Sequence, residues 1–525
     1  MRKSLVEKLI VLSLIFVLTF IFILPFSLVN IDTHHDGILL KPAIDVAQGK
    51  VLFRDTFVEY GALTTFVQAA SIKLFGEYLL AMRLTTVFSY AVLAVLLWII
   101  WSKFLPRNLT LISLILWLAL AYFYDGPFHS WSSVYALVFQ CVSFLAVLAF
   151  CKKQKYIYLI IAGAGASLAY WFRQPVGVFL SLAIGGFIML LAFLKIISLK
   201  KMLSSLLSIS AGFIIVSLPL LVYILKNGAL HDWWIQSFVF PAVFTRFARG
   251  ISLDQVLKSL SIAKFWKQIY AYFIWLALPL SIVYLTLKTL ISLLKKKKSL
   301  RSTSVSILAA GFICLASWMQ YYPVTEPSHF FWAATPMVGF LIYVLFNFFR
   351  QEVHLEEEKT VAISALIVSV FFVIRVIPGI NRVQKAKVYS DRLSYLRHIR
   401  LTPNEKKTID TFVTRLNKYL DKYNFYINTS PDAFISLYNQ PRYQMIPPLT
   451  SYGKLMSDVL YPDYVSKVQK YVRAAHPVVV DRESIPLKDY CMVQNIYYFD
   501  PSIHIYIWVA NSSKFGCRGL DTIRL

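Results

Sequence analysis

Long apolar runs, separated by short polar or aromatic segments, dominate residues 1–377. A helix of about 20 residues crosses the roughly 30 Å hydrocarbon layer of a bilayer. The pattern therefore predicts eleven membrane-spanning helices, at about 9–29, 79–101, 108–124, 132–150, 156–171, 175–194, 203–225, 270–294, 303–321, 329–349 and 360–377. Arg173 and Pro175 interrupt the apolar run between the fifth and the sixth helix, so a break is expected there.

The pattern changes after residue 377. Thr402 followed by Pro403 is typical of a helix start, and a polar helix is predicted over 402–422. Short strand-like runs with turn residues follow in "YNFYINTSPD", "HPVVVDRES" and "IHIYIWVANSS". We therefore predict a transmembrane domain over 1–377 and a small soluble α/β domain over 378–525.

Composition and charge indicate a polytopic α-helical membrane protein and its orientation. Of the 525 residues, 58% are hydrophobic, and the mean hydropathy is +0.61, whereas soluble domains are about 45–50% apolar. Much of the net charge of +26 comes from basic clusters at predicted span ends, which all fall on one side if each span is crossed once. The clusters are Arg2/Lys3/Lys8, Lys103/Arg107, Lys152/Lys153/Lys155, Lys195/Lys200/Lys201 and 295–301.

The positive-inside rule makes the side of these clusters cytoplasmic. The N-terminus is then inside and the 378–525 domain is extracytoplasmic, in a multi-pass protein of a plasma (inner) membrane. Basic residues at span ends meet lipid headgroups, so membrane lipids are expected partners and nucleic acid is not. Cys491 and Cys517 both fall in the outer domain, where an oxidising setting favours a disulfide.

The first outer loop, over 30–78, has helical patterns rather than a disordered composition. Two interface helices are predicted at 38–48 and 61–75, each ending before a glycine. The loop is therefore expected to form a structured platform on the outer face.

Asp36 is the first candidate for chemistry on this loop. A carboxylate at the edge of a span can accept a proton from a hydroxyl, although Asp is also a preferred helix cap. Glu59 would share the same cavity if the two interface helices pack antiparallel, or it would be a solvated residue at a helix start. Asp32, His34, His35 and Asp36 are also possible metal ligands, so a divalent metal stays an open alternative.

Polar residues at other outer span ends suggest an anion site. Arg173 with Gln174, and His329, follow or precede predicted spans. An arginine fork suits a phosphate, although arginine also reaches lipid headgroups without any further function.

The order of segments in residues 30–100 resembles the GT-C superfamily of polyprenyl-phosphate-sugar-dependent glycosyltransferases. The resemblance is to the protein O-mannosyltransferase and aminoarabinose transferase branch, and it rests on "HHDG", "KPAIDVAQGK", "EYGALTTFVQAASIKLFG" and "EYLLAMRL". Asp36 matches the first acidic position, Glu59 the glutamate opening the second segment, and Arg83 the arginine entering the second span. The sequence departs from the pattern at Gly37, where a second acid is usual, and after Glu59, where a Lys-Pro-Pro segment is usual.

This resemblance implies an inverting transferase that moves a sugar from a polyprenyl-phosphate carrier to a hydroxyl acceptor. Asp36 would be the catalytic base, with Glu59 beside it, and no residue is assigned to a metal. Substrate-binding roles are expected for His35, Arg54, Asp55, Tyr60, Arg83, Arg173, Gln174 and His329. A transporter or flippase of lipid-linked sugars is the alternative, which would favour ionisable groups near the bilayer midplane and a repeat in the two halves.

Overall fold

The computed structural model describes the chain with several gaps. The described residues are 2–247, 262–295, 300, 302–321, 327–421, 423–430, 432–439, 442–444, 461, 463–482, 490–498, 500–510 and 521–523.

Helices account for most of the described chain. In chain order they are α1 Arg2–Ser27, α2 Thr33–Ala47, α3 Ala62–Phe75, α4 Leu79–Trp101, α5 Arg107–Ala119, α6 Ser132–Lys153, α7 Ile157–Phe172, α8 Gln174–Phe193, α9 Leu199–Lys226, α10 Leu230–Trp234, α11 Phe240–Phe247, α12 Ile262–Lys295, α13 Thr303–Trp318, α14 Pro327–Ala334, α15 Val338–Gln351, α16 Glu357–Lys385, α17 Pro403–Leu420 and α18 Tyr464–Ala475.

Nine helical segments of the described chain are long and apolar enough to cross a membrane, so the expected count of eleven is not confirmed. The two predicted spans that fall short of this length are α5, with 13 residues, and α7, with 16 residues. The predicted span 108–124 is interrupted because Tyr122–Tyr124 form a 3-10 turn rather than continuing α5. The expected break at Arg173 is confirmed, since α7 ends at Phe172 and α8 begins at Gln174.

The loop over 30–78, still called the first outer loop after its predicted orientation, contains the two predicted helices. The second is found over Ala62–Phe75, but the first begins at Thr33, earlier than expected. Its N-cap is Asp32, whose side chain accepts hydrogen bonds from the backbone of His34 and His35. The interpretation of Asp36 as the helix cap is therefore wrong, because Asp32 is the cap and Asp36 lies inside the first turn of α2.

The C-terminal domain follows a helix that runs through the expected boundary at 377, since α16 continues to Lys385. The predicted polar helix is α17, capped by Thr402 with Glu405 in a reciprocal capping box. Its sheet contains β1 Tyr426–Asn428, β2 Val478–Asp481, β3 Tyr490–Tyr498, β4 Asp500–Ala510 and β5 Asp521–Ile523, in the order β1-β2-β4-β3-β5. The β1/β2 and β3/β5 pairs are parallel, and β4 pairs antiparallel with both β2 and β3.

The domain is joined to the first outer loop by a common hydrophobic core. Leu40 and Ile44 of α2 are fully buried in one cluster with Phe412 and Leu416 of α17 and Tyr426 of β1. Burial of apolar surface is the main stabilising term in such contacts. Helix α2 is thus a wall of the C-terminal domain as well as part of the membrane-proximal platform. Cys491 forms a disulfide, and its expected partner Cys517 lies outside the described residues.

Candidate active site

Asp32 is a partly exposed carboxylate of the first outer loop. Its Oδ1 accepts the backbone N–H groups of His34 and His35 at 3.0 and 2.9 Å, and its Oδ2 lies 2.9 Å from His35 Nδ1. The side chain is 27% exposed. Although burial alone would raise its pKa, the hydrogen bond and charge of His35 hold the pKa of Asp32 well below the usual value. Asp32 is therefore ionised and reachable from water.

Asp36, one helical turn further along α2, has the opposite surroundings. Its side chain is 0% exposed, and its Oδ2 accepts from Arg83 Nη2 at 2.8 Å and from the backbone N–H of Asp32 at 2.9 Å. Burial raises the pKa of Asp36, and the charge of Arg83 opposes that rise. The expected position of Asp36 at an open cavity is wrong, because this carboxylate is enclosed in a buried ion pair.

Arg83 fixes the backbone segment that precedes Asp32. Its guanidinium donates to the carbonyl oxygens of Ser27, Val29 and Asn30, at 3.1, 3.2 and 2.9 Å. These bonds and the Asp36 pair tie the end of α1 to the start of α2. Arg83 and Asp36 thus hold the backbone on both sides of Asp32 in place.

A second outer segment, between α5 and α6, supplies His129 and Trp131 to the same place. His129 Nε2 lies 4.0 Å from Asp32 Oδ2, and its ring centre is 5.1 Å from that of His35. Burial, together with the nearby charge of His35, lowers the pKa of His129 to about 3. His129 is therefore a neutral imidazole at pH 7.

Aromatic and histidine rings surround Trp131. Its ring centre lies 5.0 Å from His35, 5.1 Å from Tyr60, 5.6 Å from Trp332 and 6.3 Å from His329. Four segments distant in sequence meet there. We call this group the ring cluster, and it consists of His35, Tyr60, His129, Trp131, His329 and Trp332.

Arg173 borders the ring cluster at the break between α7 and α8. Its guanidinium lies 5.9 Å from the Trp332 ring centre and donates to Ser133 Oγ. Glu59 and Tyr60 both interact electrostatically with Arg173. A cation, Arg173, and an acid, Glu59, therefore lie at this side of the cluster, and Asp32 lies at its His35 side.

Close backbone packing brings Glu59 and Tyr60 to Arg173. The backbone N–H of Gly61 donates to Phe172 O at 3.1 Å, and Thr64 Oγ1 donates to the same oxygen at 3.0 Å. A Cβ at Gly61 would lie 2.1 Å from Trp171 O, so only glycine permits this approach. The start of α3 is docked on the end of α7.

Five of the predicted site residues thus come together, namely His35, Glu59, Tyr60, Arg173 and His329. Other predicted residues have other partners in the described chain. Arg54 forms a two-pronged ion pair with Asp55 and donates to Asn227 O, and Gln174 donates to Ser237 Oγ at 3.3 Å. Among the described contacts, none joins Asp36 to Glu59.

Sequence reasoning did not select Asp32, His129, Trp131 or Trp332 for these roles. Asp32 was detectable as the cap of a helix that starts at residue 33. His129 and Trp131 occur in the aromatic outer segment "YFYDGPFHSW", but nothing local in that segment indicates contact with Asp32.

Asp32, His35 and His129 each offer one metal-ligating atom, and these atoms lie within 4.8 Å of one another. One carboxylate and two imidazoles are a donor set that suits zinc, manganese or iron. The neutral state of His129 leaves a nitrogen lone pair for a metal. Of the four residues considered from sequence, Asp32 and His35 belong to this triad, whereas His34 and Asp36 do not.

An apolar cavity of about 700 Å³ lies between α7, α8 and α9. Trp171, which shortly precedes Arg173, lines the cavity together with Tyr170, Leu182, Phe213, Leu221 and Trp233. A second apolar cavity, of about 840 Å³, lies among α5, α12, α15 and α16, and no residue of the ring cluster lines it. Among the described residues, no member of the ring cluster lines the first cavity either, but Trp171 of its lining lies two residues before Arg173.

Comparison with solved structures identifies the fold. The crystal structure of ArnT from Cupriavidus metallidurans bound to undecaprenyl phosphate is similar to this chain, with a TM-score of 0.53 and 11% identity over 96% of this chain and 98% of that chain. The same protein in the apo state gives a TM-score of 0.55 at 11% identity and the same coverage. The apo Archaeoglobus fulgidus oligosaccharyltransferase gives a TM-score of 0.50 at 14% identity, over 91% of this chain and 69% of that chain. No family model and no curated protein sequence matches this chain.

These neighbours are GT-C glycosyltransferases, so the chain has the GT-C fold. It is a multi-pass membrane protein with this fold and a small C-terminal sheet. The resemblance inferred from residues 30–100 is confirmed at the level of the fold.

Proposed function

We propose that this protein is an inverting glycosyltransferase that moves a sugar from a polyprenyl-phosphate carrier to a hydroxyl acceptor. The observation that carries the proposal is an ionised, water-accessible Asp32 beside a ring cluster and a cation, Arg173. Rings and a carboxylate suit a sugar, and a guanidinium suits a phosphate. The fold neighbour bound to undecaprenyl phosphate supports a carrier of this chemical class.

In this mechanism Asp32 accepts the proton of the acceptor hydroxyl as its oxygen attacks the anomeric carbon. The bond between that carbon and the carrier phosphate oxygen breaks on the opposite face, so the configuration inverts. The electron pair leaves with the phosphate, and Arg173 stabilises the negative charge that develops there. Asp36 and Arg83 hold Asp32 in position but exchange no proton with the substrate. The role first expected for Asp36 thus passes to Asp32.

The polyprenyl chain would occupy the 700 Å³ cavity between α7, α8 and α9. Its lining is apolar, and Trp171 of that lining lies two residues before Arg173, a cation that borders the ring cluster. A phosphate held by Arg173 would therefore have its isoprenoid tail on the membrane side. The sugar would lie toward Trp131.

A divalent cation is a separate part of the proposal, held by Asp32, His35 and His129. When bound, it would supply positive charge to the donor phosphate. Metal content of the purified protein tests this, with wild type expected to retain the cation and His129→Ala to lose it. Equal metal content in both proteins would rule out a cation at these three residues. The proton-accepting role of Asp32 does not depend on a bound cation.

The positive-inside rule supports the orientation proposed here, with the site and the C-terminal domain on the extracytoplasmic side of an inner membrane. Membrane-impermeant labelling of a cysteine introduced at exposed Lys418 tests it. Labelling in intact cells is expected, and labelling only after lysis would place the domain inside.

The principal experiment measures transfer from a panel of radiolabelled polyprenyl-phosphate sugars, in membranes that contain wild type or Asp32→Asn. Label leaving one carrier for a product only with wild type supports the transferase and identifies the donor. Label that merely changes leaflet, equally with both proteins, would replace the proposal with a flippase.

A further inference from the structure

The C-terminal domain contacts the catalytic turn directly. Building on the glycosyltransferase function proposed above, the geometry points to Asp432 of that domain as a positioning residue for Asp32. Asp432 acts through Thr33, and the active site is complete only when the domain is docked. We call the Thr33–Asp432 contact the clasp.

The clasp joins the residue after Asp32 to a turn of the C-terminal domain. Thr33 Oγ1 donates to Asp432 Oδ2 at 2.5 Å. Asp432 is itself fixed from its own side, because its Oδ1 accepts Phe434 N–H at 3.2 Å and its carbonyl oxygen accepts from Asn428 Nδ2 at 2.8 Å. The acceptor of the clasp is therefore held by β1 and the turn that follows it.

A second contact shows how closely the two backbones approach. A Cβ at Gly37 would lie 2.2 Å from the backbone nitrogen of Phe434 and 2.6 Å from the carbonyl carbon of Ala433. Gly37, where the related sequences usually have an acid, is thus required by the docked domain. This departure from the family pattern has a packing explanation.

The domain also holds the residues that precede Asp32. Asn30 Nδ2 donates to the Glu405 carboxylate at 3.0 and 2.8 Å, and Asn30 N–H donates to Arg400 O at 2.8 Å. Asp32 therefore lies between two points of attachment, one at Asn30 and one at Thr33. The orientation of its carboxylate depends on both.

Side-chain substitutions separate positioning from other roles. Leucine at 432 removes the acceptor at similar volume, whereas asparagine keeps an acceptor oxygen for Thr33. We expect Asp432→Leu to lower kcat by about 10- to 100-fold, because small displacements of a reacting group have effects of that size. The KM for the donor should be unchanged, and Asp432→Asn should stay within about 3-fold of wild type, since it keeps the hydrogen bond.

Thr33 provides the reciprocal test. Thr33→Val should reproduce the loss, and Thr33→Ser should not. Combining Thr33→Val with Asp432→Leu should add little to Asp432→Leu alone, because both changes remove the Thr33–Asp432 hydrogen bond. Asp391→Asn, on the exposed surface of the same domain, is the matched control and should behave as wild type.

Hydrogen exchange of the full chain in detergent gives a readout that needs no turnover. Asp432→Leu is expected to speed exchange of the amides over 33–37, while Asp432→Asn leaves them protected. Unchanged kcat in Asp432→Leu, or equal losses in the leucine and asparagine variants, would overturn the positioning role. If wild type transfers no sugar, the proposed function fails, and the exchange data alone decide whether the clasp orders the turn at Asp32.

Discussion

Asp32 and Asp36 lie one helical turn apart on α2, yet their environments differ in almost every respect. Asp32 caps the helix, faces two histidines and reaches water. Asp36 is fully buried and forms an ion pair with Arg83. Position along a sequence pattern therefore does not decide which of two neighbouring carboxylates is open to water. Burial and the partner group decide it, and only an ionised, accessible carboxylate can accept a proton from a substrate.

The largest expected effect comes from Asp32→Asn. Removing a general base typically lowers the rate by about 10²- to 10⁴-fold. Asparagine keeps a cap acceptor for the α2 amides and loses only the partly exposed ion pair with His35, so the thermal stability should fall modestly. Transfer of radiolabel by purified protein measures the loss, with Asp391→Asn as control. Wild-type rates in Asp32→Asn would dismiss Asp32 as the base.

Asp36→Asn should instead act mainly on stability. It leaves the buried Arg83 charge without its partner, and breaking such a pair costs about 3–5 kcal/mol. The apparent melting temperature in detergent should fall clearly below that of Asp32→Asn. Replacing both partners, as Asp36→Leu with Arg83→Met, should recover part of the loss. A stable Asp36→Asn protein without activity would restore Asp36 to the catalytic role.

Arg173→Ala tests the cation beside the ring cluster. Loss of a charge-assisted bond to phosphate, worth about 1.5–3 kcal/mol, should weaken binding of a polyprenyl phosphate by about 10- to 100-fold. Arg54→Ala is the matched arginine of the first outer loop, where the guanidinium pairs with Asp55, and it should bind as wild type does. Equal affinity in both variants would make Arg173 an interfacial side chain without a substrate role.

The smallest effect concerns Asp432 and pH. Burial, opposed by the hydrogen bond from Thr33, raises the pKa of Asp432 from its usual 3.8 to about 7. The unfolded chain then releases this proton at lower pH than the folded chain, so the wild type loses stability as pH rises from about 4 to 7. Asp432→Asn does not titrate, so its melting temperature relative to wild type should rise across this range and level off above pH 7. A constant difference at all pH values would contradict the assignment.

Several features of the fold followed from local sequence. The apolar runs predicted most of the long helices, and Thr402 with Pro403 marked the start of α17. Arg173 and Pro175 marked the break between α7 and α8. These predictions succeeded because capping, proline geometry and hydrophobic length act within a few residues.

The span count and the site were less predictable. Helix α5 ends at Ala119, before the 3-10 turn at Tyr122–Tyr124. The aromatic residues of that turn continue the apolar run of the sequence, so the end of the helix was not visible there. His129 and Trp131 join Asp32 only because α5 and α6 bring their loop to the start of α2. Asp432 is some four hundred residues from Thr33 in the chain, and only the docked domain brings them together.

The sequence by itself determined that this is a multi-pass membrane protein whose C-terminal part differs in pattern from the spans, and that the loop over 30–78 is charged, because hydropathy and residue type are local properties. It also carried the likeness to the GT-C fold. The tertiary structure decided which carboxylate is open, which arginine supports the loop and which borders the rings, and how the C-terminal domain holds the turn at Asp32. Those outcomes depend on burial and on distances between segments far apart in the chain, and only the folded structure defines them.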